Sequence, residues 1–429
     1  MTTGNMGRRQ FLVGALGALG AAGSLVLPRM IAQGAAAASK RLVFIFLRGG
    51  VDGLGLVSPI GGDAATLAAL RRNIGLRDPL VFSPTLGVNR LLAPLLDDAS
   101  IKACLNIVLH AGSLNETRSH FVQMDHVESG NAASTTPTGF LGMAANALVR
   151  STVGVGALMP ASLRGANPLV LSDPARLQPQ YAHGGLKPGL RRAQRLGLYK
   201  LASGEAGDTR VDTLARQAEL QFDAVASAMQ GVTLSGLVTA GGYVNSPFGQ
   251  RLAVAGAMLA SPADPAIVTI DAEHGWDTHA NQATNDAAGF HAYGKKVDDL
   301  AKNLRVFKND LQRRAMWENT AIVLLSEFGR TIRENGNQGS DHGRAGAMLL
   351  LGGAMRAHSD SAYRGLRSLS LPTTFDESTA LDVVHDYRVV MAEILERHLG
   401  LGQAAALGLF QPAASVRASD YLNVVRTAG

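Results

Sequence analysis

The stretch Arg41-Leu-Val-Phe-Ile-Phe-Leu47 is a nearly continuous apolar run that stops at the pair Gly49-Gly50. A strand buried on both faces has this composition, because the helices of a parallel sheet cover it on either side. The glycines that follow allow the chain to bend tightly. The stretch therefore predicts a central parallel strand and indicates the class of the whole fold.

Further apolar runs of strand length follow along the chain. They are Cys104 to His110, Pro168 to Leu171, Ala266 to Ile270, Ala321 to Leu325 and Ala347 to Leu351. The stretches between them that have helical spacing are Val211 to Met229, Phe248 to Leu259, Ala287 to Leu311 and Ala380 to Leu399. Strands that alternate with helices predict an α/β fold with a mostly parallel central sheet and helices on both faces.

The first 38 residues have the order of an export signal. Arg8 and Arg9 precede an apolar Gly/Ala/Leu run, and small residues follow at Ala35 to Ala38. Paired arginines indicate the twin-arginine route, although an uncleaved membrane anchor is the alternative. We therefore expect a signal at 1–38 and a periplasmic or extracellular α/β domain at 39–429 without a membrane span. An irregular segment at about 131–205 is expected to form a cap or insertion.

Composition excludes some classes of partner. Apolar residues make up 46% of the chain, which is ample for a buried core. The formal net charge is +6, and the three arginines of the predicted signal account for half of it. The basic patch from Lys187 to Arg195 lacks the interleaved aromatic residues of a single-strand binding surface, so we expect no nucleic-acid partner. Cys104 is the only cysteine, and its apolar surroundings favour a buried, inert thiol.

Carboxylate and imidazole residues follow the strand-like run Ala321 to Leu325. Glu327 and Arg330 come first, and Asp341-His342 comes after a turn-rich loop. Ligands bind at the carboxyl ends of strands in open α/β sheets, and this mixture of side chains suits a divalent metal. Arg330 is expected either to clamp a phosphate or sulfate or to neutralise one of the carboxylates in a buried ion pair.

Two other segments repeat this pattern. His274, Asp277 and His279 lie close together after the predicted strand that ends at Ile270, so we expect them to bind metal or to form a hydrogen-bonded loop. Asp52 follows the first strand, where it either binds metal or caps the next turn.

A third polar segment follows the strand-like run that ends at His110. In Thr117-Arg118-Ser119-His120, the serine begins a helical pattern and is predicted to be either a plain N-cap or a hydroxyl nucleophile at a helix N-terminus. His120 and His126 are expected to be ligands, proton-transfer groups or ordinary helix-surface residues.

The combination of these motifs resembles a known family. The motifs are the twin-arginine signal, Leu47 to Leu54, Thr117 to Phe121, His274 to His279, Ser326 to Thr331 and Asp341 to Gly343. Together they resemble the exported bacterial family called domain of unknown function 1501, which is similar to the alkaline phosphatase and sulfatase superfamily. The resemblance implies an alkaline phosphatase-like sheet sandwich with two metal positions and a nucleophile at a helix start.

The resemblance also implies a role for each matching residue. Asp52 would be the metal-binding Asp after the first strand, and Asp341 and His342 would complete that site. Asp277 and His279 would bind the second metal, with His274 as an additional ligand. Ser119 would be the nucleophile, with Thr117 as the fallback. Separately from the resemblance, we expect Arg118 or Arg330 to steady the ester oxygens and Glu327 to lie with them among the catalytic residues.

These expectations lead to two hypotheses about function. The first is an exported hydrolase of phosphate or sulfate esters that uses divalent metal ions (zinc, magnesium, calcium or manganese) and a hydroxyl nucleophile. Its substrate would be a small-molecule or glycan ester. The second is a non-catalytic envelope protein that keeps the fold and binds a glycan or a protein partner, because a fold does not establish a function.

Overall fold

The computed structural model describes residues 39–132, 138–166, 168–174, 224–272, 275–287, 292–356, 371, 378–412 and 415–426. The predicted signal at 1–38, much of the predicted cap and His274 lie outside these ranges. Within them, no helix is long and apolar enough to span a bilayer.

Eleven strands are described, in two sheets. Eight of them form the large sheet, in the order β11-β5-β10-β9-β1-β8-β6-β7. Their bounds are β1 Arg41–Phe46, β5 Asn106–Gly112, β6 Thr152–Val155, β7 Leu169–Leu171, β8 Ile267–Asp271, β9 Thr320–Leu325, β10 Gly346–Leu351 and β11 His385–Asp386. The small antiparallel sheet has the order β2-β4-β3, with β2 Val57–Pro59, β3 Leu80–Val81 and β4 Leu86–Val88.

The large sheet is mostly parallel, as predicted. β1 pairs in parallel with β8 and β9, β6 pairs in parallel with β7 and β8, and β11 pairs in parallel with β5. Only β10 is antiparallel to its neighbours β5 and β9. The carboxyl ends of the other seven strands of this sheet therefore lie along one edge, which is where an open α/β sheet presents its ligand site.

The helices connect these strands. The α-helices described are α1 Gly53–Leu56, α2 Ala64–Leu70, α3 Ala93–Leu96, α4 Ala99–Cys104, α5 His120–Ser129, α6 Phe140–Leu148, α7 Leu234–Gly241, α8 Pro247–Leu259, α9 Tyr293–Arg313, α10 Tyr387–Glu393 and α11 Gln403–Gly408. A π-helix at Ile394–His398 continues α10, and short 3-10 helices lie at Arg90–Leu92, Ala161–Leu163, Trp317–Asn319 and Ala418–Asp420.

The position of β1 in the middle of the sheet explains its apolar sequence. Every residue of β1 is buried, because neighbouring strands cover both of its edges and side chains from the layers above and below cover both faces. Ile45 lies between Ile270 of β8 and Leu324 of β9. Fully burying a side chain of this size is worth about 1.5–3 kcal/mol, so the apolar run stabilises the middle of the sheet.

Three predicted elements differ from the structure, and one of them is the predicted helix from Ala287 to Leu311, which begins later, at Tyr293. Cys104 ends helix α4 rather than beginning a strand, because Asp98 accepts hydrogen bonds from the N–H groups of Ser100 and Ile101 and starts a helix there. The predicted helix from Ala380 to Leu399 begins later, at Tyr387. The residues before it form the edge strand β11, and Asp386 caps the helix by accepting from the N–H of Arg388.

Candidate metal centre

Loops from several strands meet at the carboxyl edge of the large sheet. The segment after β8 carries Asp277 and His279, and β9 leads directly into Ser326 and Glu327. The loop between β9 and β10 carries Arg330, Asp341 and His342. Within this loop, Arg330 and His342 form an isolated β-bridge. Helix α5 follows β5 and begins at His120. Residues far apart in the sequence therefore reach one place.

Three of these residues form a candidate metal-binding group. The ligand atoms of His120, Asp277 and His342 all lie within 4.8 Å of one another. Nε2 of His120 is 3.4 Å from Oδ2 of Asp277, and Nε2 of His342 is 3.3 Å from Oδ1 of the same carboxylate.

His279 adjoins the group on one side. Its Nε2 lies 3.0 Å from Oδ1 of Asp277 and 2.9 Å from Nε2 of His342. Two ligands of a tetrahedral zinc ion, each about 2.0–2.1 Å from the metal, lie about 3.3 Å apart. Four distances are close to that value: those from Asp277 to His120, His279 and His342, and the one from His279 to His342.

The Nδ1 atom of each of these three histidines faces an oxygen atom that can accept a hydrogen bond but cannot donate one. Glu327 Oε1 lies 2.6 Å from Nδ1 of His120. Asp341 Oδ1 lies 2.7 Å from Nδ1 of His279, and the Arg118 carbonyl lies 2.8 Å from Nδ1 of His342. A neutral ring that donates its proton from Nδ1 to this acceptor leaves its Nε2 lone pair free. Metal-bound histidines have this arrangement.

The Nε2 atom of His120 is a buried polar atom without a hydrogen-bond partner in the described structure. Leaving such an atom unpaired costs about 1–3 kcal/mol. A cation among the three Nε2 atoms and the Asp277 carboxylate would satisfy it, so the side chains present fit a metal ion.

Electrostatics shift the pKa values of the groups at this site, and the hydrogen bond with Glu327 raises the pKa of the His120 ring. Burial alone would raise the pKa of Glu327, but hydrogen bonds from His120, Ser326 and the N–H of Gly49 lower it below its ordinary value. Burial likewise opposes the charge on Asp277, and the guanidinium of Arg330 outweighs it and lowers the pKa. Burial and Arg330 lower the pKa of His342, which favours the neutral ring.

Arg330 supports the centre from within the protein. It is 2% exposed and donates to the carbonyls of Gly49, Gly50 and Ser340, as well as to Oδ1 of Asp277. These bonds occupy the guanidinium, so it has no free face for a substrate anion. Of the two roles expected for Arg330, the structure shows the buried ion pair, but its partner is Asp277 rather than Glu327 or Asp341.

Asp52 has different contacts from those expected of a metal ligand. Its two carboxylate oxygens accept from the two terminal nitrogens of Arg71, at 2.7 and 2.9 Å, and Oδ2 also accepts from Gln282 at 2.6 Å. It occupies the N-cap position of α1 without a side-chain capping bond. Asp52 is not a member of the group formed by His120, Asp277 and His342, and its carboxylate forms a buried ion pair with Arg71 where a metal bond was expected.

Asp341 and Glu327 also differ from their expected roles. Asp341 contacts the ring of His279 and the amide of Asn335 rather than joining the donor group. Glu327 is fully buried against His120, Ser326 and Gly49, which keeps it away from any substrate. Both carboxylates orient a histidine.

The segment before α5 lies beside the donor group through His120. Ser119 is exposed and occupies the N-cap position, but its hydroxyl makes no capping bond. The hydroxyl of Thr117 accepts from the N–H of Ser119 at 3.3 Å. The structure records no hydrogen bond or ion pair from the Arg118 guanidinium to any residue that it describes.

The sequence left the role of His120 open among several alternatives and did not predict that it lies with Asp277 and His342 in the candidate metal-binding group. One local signal was present, because His120 follows a strand end just as the other histidines do. Its closeness to Asp277 could not be seen, since 157 positions of chain separate the two residues in the sequence.

The fold and the side chains define a mixed α/β protein with a histidine- and aspartate-rich candidate metal centre at one sheet edge. Residues 97–360 match the family described as "Protein of unknown function (DUF1501)". The match spans more than half of the chain, so the protein belongs to this family, as its motifs suggested.

Other comparisons add little. No curated protein matches. Among solved structures, one titled "Crystal structure of Ps i-CgsB in complex with k-i-k-neocarrahexaose" is similar over 73% of this chain and 66% of that one. Its sequence identity is 10% and its TM-score is 0.31, so the likeness supports no conclusion about the site.

Proposed function

We propose that this protein is an exported, metal-dependent hydrolase of phosphate or sulfate esters, related to the alkaline phosphatases and sulfatases. One observation carries the proposal. The Nε2 atoms of His120 and His342 lie together with the Asp277 carboxylate, Nε2 of His279 lies 3.0 Å from that carboxylate, and an acceptor faces Nδ1 of each ring. Such a donor set is suited to holding a cation.

The donor set narrows the choice of metal. Magnesium and calcium prefer oxygen ligands, whereas imidazole suits zinc and similar transition metals. We therefore propose one zinc-like ion per chain, held by His120, Asp277, His342 and His279, in place of the two sites implied by the resemblance. A bound metal of this kind polarises an ester oxygen and lowers the pKa of a nearby hydroxyl.

Ser119 and Arg118, which precede His120 in the sequence, are suited to act on the ester substrate. Ser119 presents an exposed hydroxyl, free of a capping bond, at the first turn of α5, and we propose it as the nucleophile. Helix N-termini favour bound anions, and the guanidinium of Arg118, for which the described residues provide no ion-pair partner, offers further positive charge for the non-bridging oxygens.

Metal analysis followed by an ester assay tests the proposal. Mass spectrometry of native protein purified without chelators should find about one transition-metal ion per chain. His342→Ala should lose the ion, whereas His126→Ala, on helix α5 but outside the donor group, should retain it. Protein with no bound metal, or equal metal content in both variants, would refute the site.

Catalysis has its own measurement. Metal-loaded protein should hydrolyse at least one aryl phosphate or aryl sulfate, and Ser119→Ala should abolish turnover while the metal stays bound. Thr117→Val is the matched control and should retain most of the activity. A fully active Ser119→Ala variant would exclude this serine as the nucleophile.

One observation favours the second candidate function, a non-catalytic envelope protein that binds a glycan or protein partner. With His279 the donor set has four members, and sites closed by four protein ligands are usually structural, whereas catalytic zinc keeps an open position. Metal-loaded protein that is stabilised by the ion but inactive on every ester would support this alternative.

A further inference from the structure

Gln282 joins the two loops that carry the donor residues. Its side chain is fully buried, and its Oε1 accepts from the hydroxyl of Thr278 at 3.0 Å and from that of Ser340 at 2.7 Å. Its Nε2 donates to Asp52 at 2.6 Å and to Thr284 at 3.1 Å. Every polar atom of the amide therefore has a partner.

The two hydroxyls belong to neighbours of the donor residues. Thr278 lies between Asp277 and His279, and Ser340 immediately precedes Asp341 and His342. The N–H of Ser340 also donates to the Thr278 carbonyl at 3.1 Å. One oxygen atom of Gln282 thus holds both loops at a set separation.

A buried ion pair fixes the orientation of the amide. The Asp52 carboxylate accepts only, so the Gln282 nitrogen must face it and the oxygen must face the two hydroxyls. Arg71 holds Asp52 and also donates to the carbonyls of Thr331 and Ile332. The network therefore extends to the start of the loop that carries His342.

We infer that Gln282 is a positioning residue for the metal centre, and that the ion pair of Asp52 and Arg71 fixes its amide. This inference rests on the proposed metal site. Replacing the amide by an apolar side chain removes the hydrogen bonds to the two hydroxyls and to one oxygen of Asp52. The two loops are then no longer connected through a shared side chain, so the positions of the donor residues are less well fixed. Losing an outer partner of a metal site typically costs 10–100-fold in metal affinity, and we expect a loss of that size.

Cobalt binding tests the inference, because the absorption spectrum of Co²⁺ reports its coordination geometry independently of activity. Apo protein is titrated with Co²⁺, and the dissociation constant and visible spectrum are measured for wild type and Gln282→Met. The matched control is Asn303→Leu in α9, which removes a fully buried amide bonded to the N–H of Val244 and to Ser246 and Asp299, outside the donor group.

We expect Gln282→Met to bind Co²⁺ about 10–100-fold more weakly with an altered spectrum, while Asn303→Leu keeps the wild-type affinity and spectrum. If Gln282→Met does not fold, Thr278→Val and Ser340→Ala each remove one bond to the amide and should each weaken binding. Wild-type affinity and spectrum in Gln282→Met, or in both single-bond variants, would overturn the inference. Wild-type protein that binds no Co²⁺ would instead refute the metal site itself.

Discussion

The Nε2 atoms of His279 and His342 face each other across 2.9 Å. Nδ1 of His279 faces Asp341 at 2.7 Å, and Nδ1 of His342 faces the carbonyl of Arg118 at 2.8 Å. Two lone pairs at this separation repel each other unless a cation or an added proton lies between them. The same two atoms are neighbours of the Asp277 carboxylate, so the proposed metal ion would remove the repulsion and also neutralise the carboxylate.

The carboxylate behind His279 should tune metal affinity. Asp341→Ala removes the acceptor for the Nδ1 proton, so the ring loses its orientation and affinity for Zn²⁺ should fall about 10–100-fold. Asp341→Asn keeps an acceptor oxygen and should lose less. Competition with a chromophoric chelator measures both constants, and equal affinities in wild type and Asp341→Ala would contradict the prediction.

The two arginines of the site should respond differently. Arg118→Ala removes a guanidinium that has no partner among the described residues, so stability should hardly change, while KM for an anionic ester rises about tenfold, the equivalent of one charge-assisted hydrogen bond of about 1.5 kcal/mol. Arg330→Lys cannot replace the fork of bonds to the carbonyls and Asp277, so it should instead lower the free energy of unfolding.

Urea unfolding of metal-free protein separates these effects from metal binding. A stable Arg330→Lys variant with only an altered KM would assign the anion-binding role to Arg330 instead.

Asp52 should matter for stability and not for metal stoichiometry. Asp52→Ala leaves the buried Arg71 guanidinium unpaired, which should cost about 3–5 kcal/mol of the free energy of unfolding. At saturating Zn²⁺ the folded variant should still bind one ion, since Asp52 lies outside the donor group. Denaturant unfolding and metal analysis check the two statements, and a drop in stoichiometry would restore Asp52 as a ligand.

His398 should make stability depend on pH. Burial lowers its pKa to about 4 in the folded protein, and its Nε2 contacts the Arg41 carbonyl. An unfolded histidine has a pKa of about 6.5, so below that pH the unfolded chain binds more protons. The contribution is fully present above pH 6.5 and is lost as the pH falls towards 4, by up to roughly 3 kcal/mol.

The variant His398→Gln isolates this contribution, because its amide can still donate to the Arg41 carbonyl but gains no proton. Relative to the variant, wild type should lose free energy of unfolding as the pH falls from 7 to 4.5. A constant difference would show that His398 does not titrate in this range.

Cys104 should be inert in the native protein. Burial raises the pKa of its thiol to about 11, so little thiolate is present at pH 8, and 6% of the residue is exposed. A disulfide reagent should therefore react slowly with folded protein and with one equivalent after denaturation. Cys104→Ala provides the baseline, and rapid reaction of native wild type would contradict the prediction.

Much of the fold could be predicted from local sequence, because burial on both faces imposes apolar residues on every position of a central strand. β1, β8 and β9 follow from their apolar runs, and α8 follows from its helical spacing. The direction of β10 could not be predicted, since nothing within the strand distinguishes parallel from antiparallel pairing. Cys104 was assigned to a strand because the cap at Asp98 is a weaker signal than an apolar run.

The candidate site was likewise predictable from the sequence only in part. The types of residue that gather after strand ends are visible in the sequence, so Asp277, His279 and His342 could be selected from their positions. Which acidic group meets which partner could not be predicted. Asp52 and Asp341 look alike as carboxylates after strands, yet one pairs with Arg71 and the other orients His279.

By itself, the sequence determined the α/β class, the central strands and the supply of metal-binding side chains at one sheet edge, because apolar patterning and strand ends are local properties. Only the tertiary structure decided that His120 joins Asp277 and His342, that Arg330 is buried against Asp277, and that Gln282 connects the two loops. These contacts depend on how long loops close in space, and residue types alone do not specify the partner of a charged or hydrogen-bonding group.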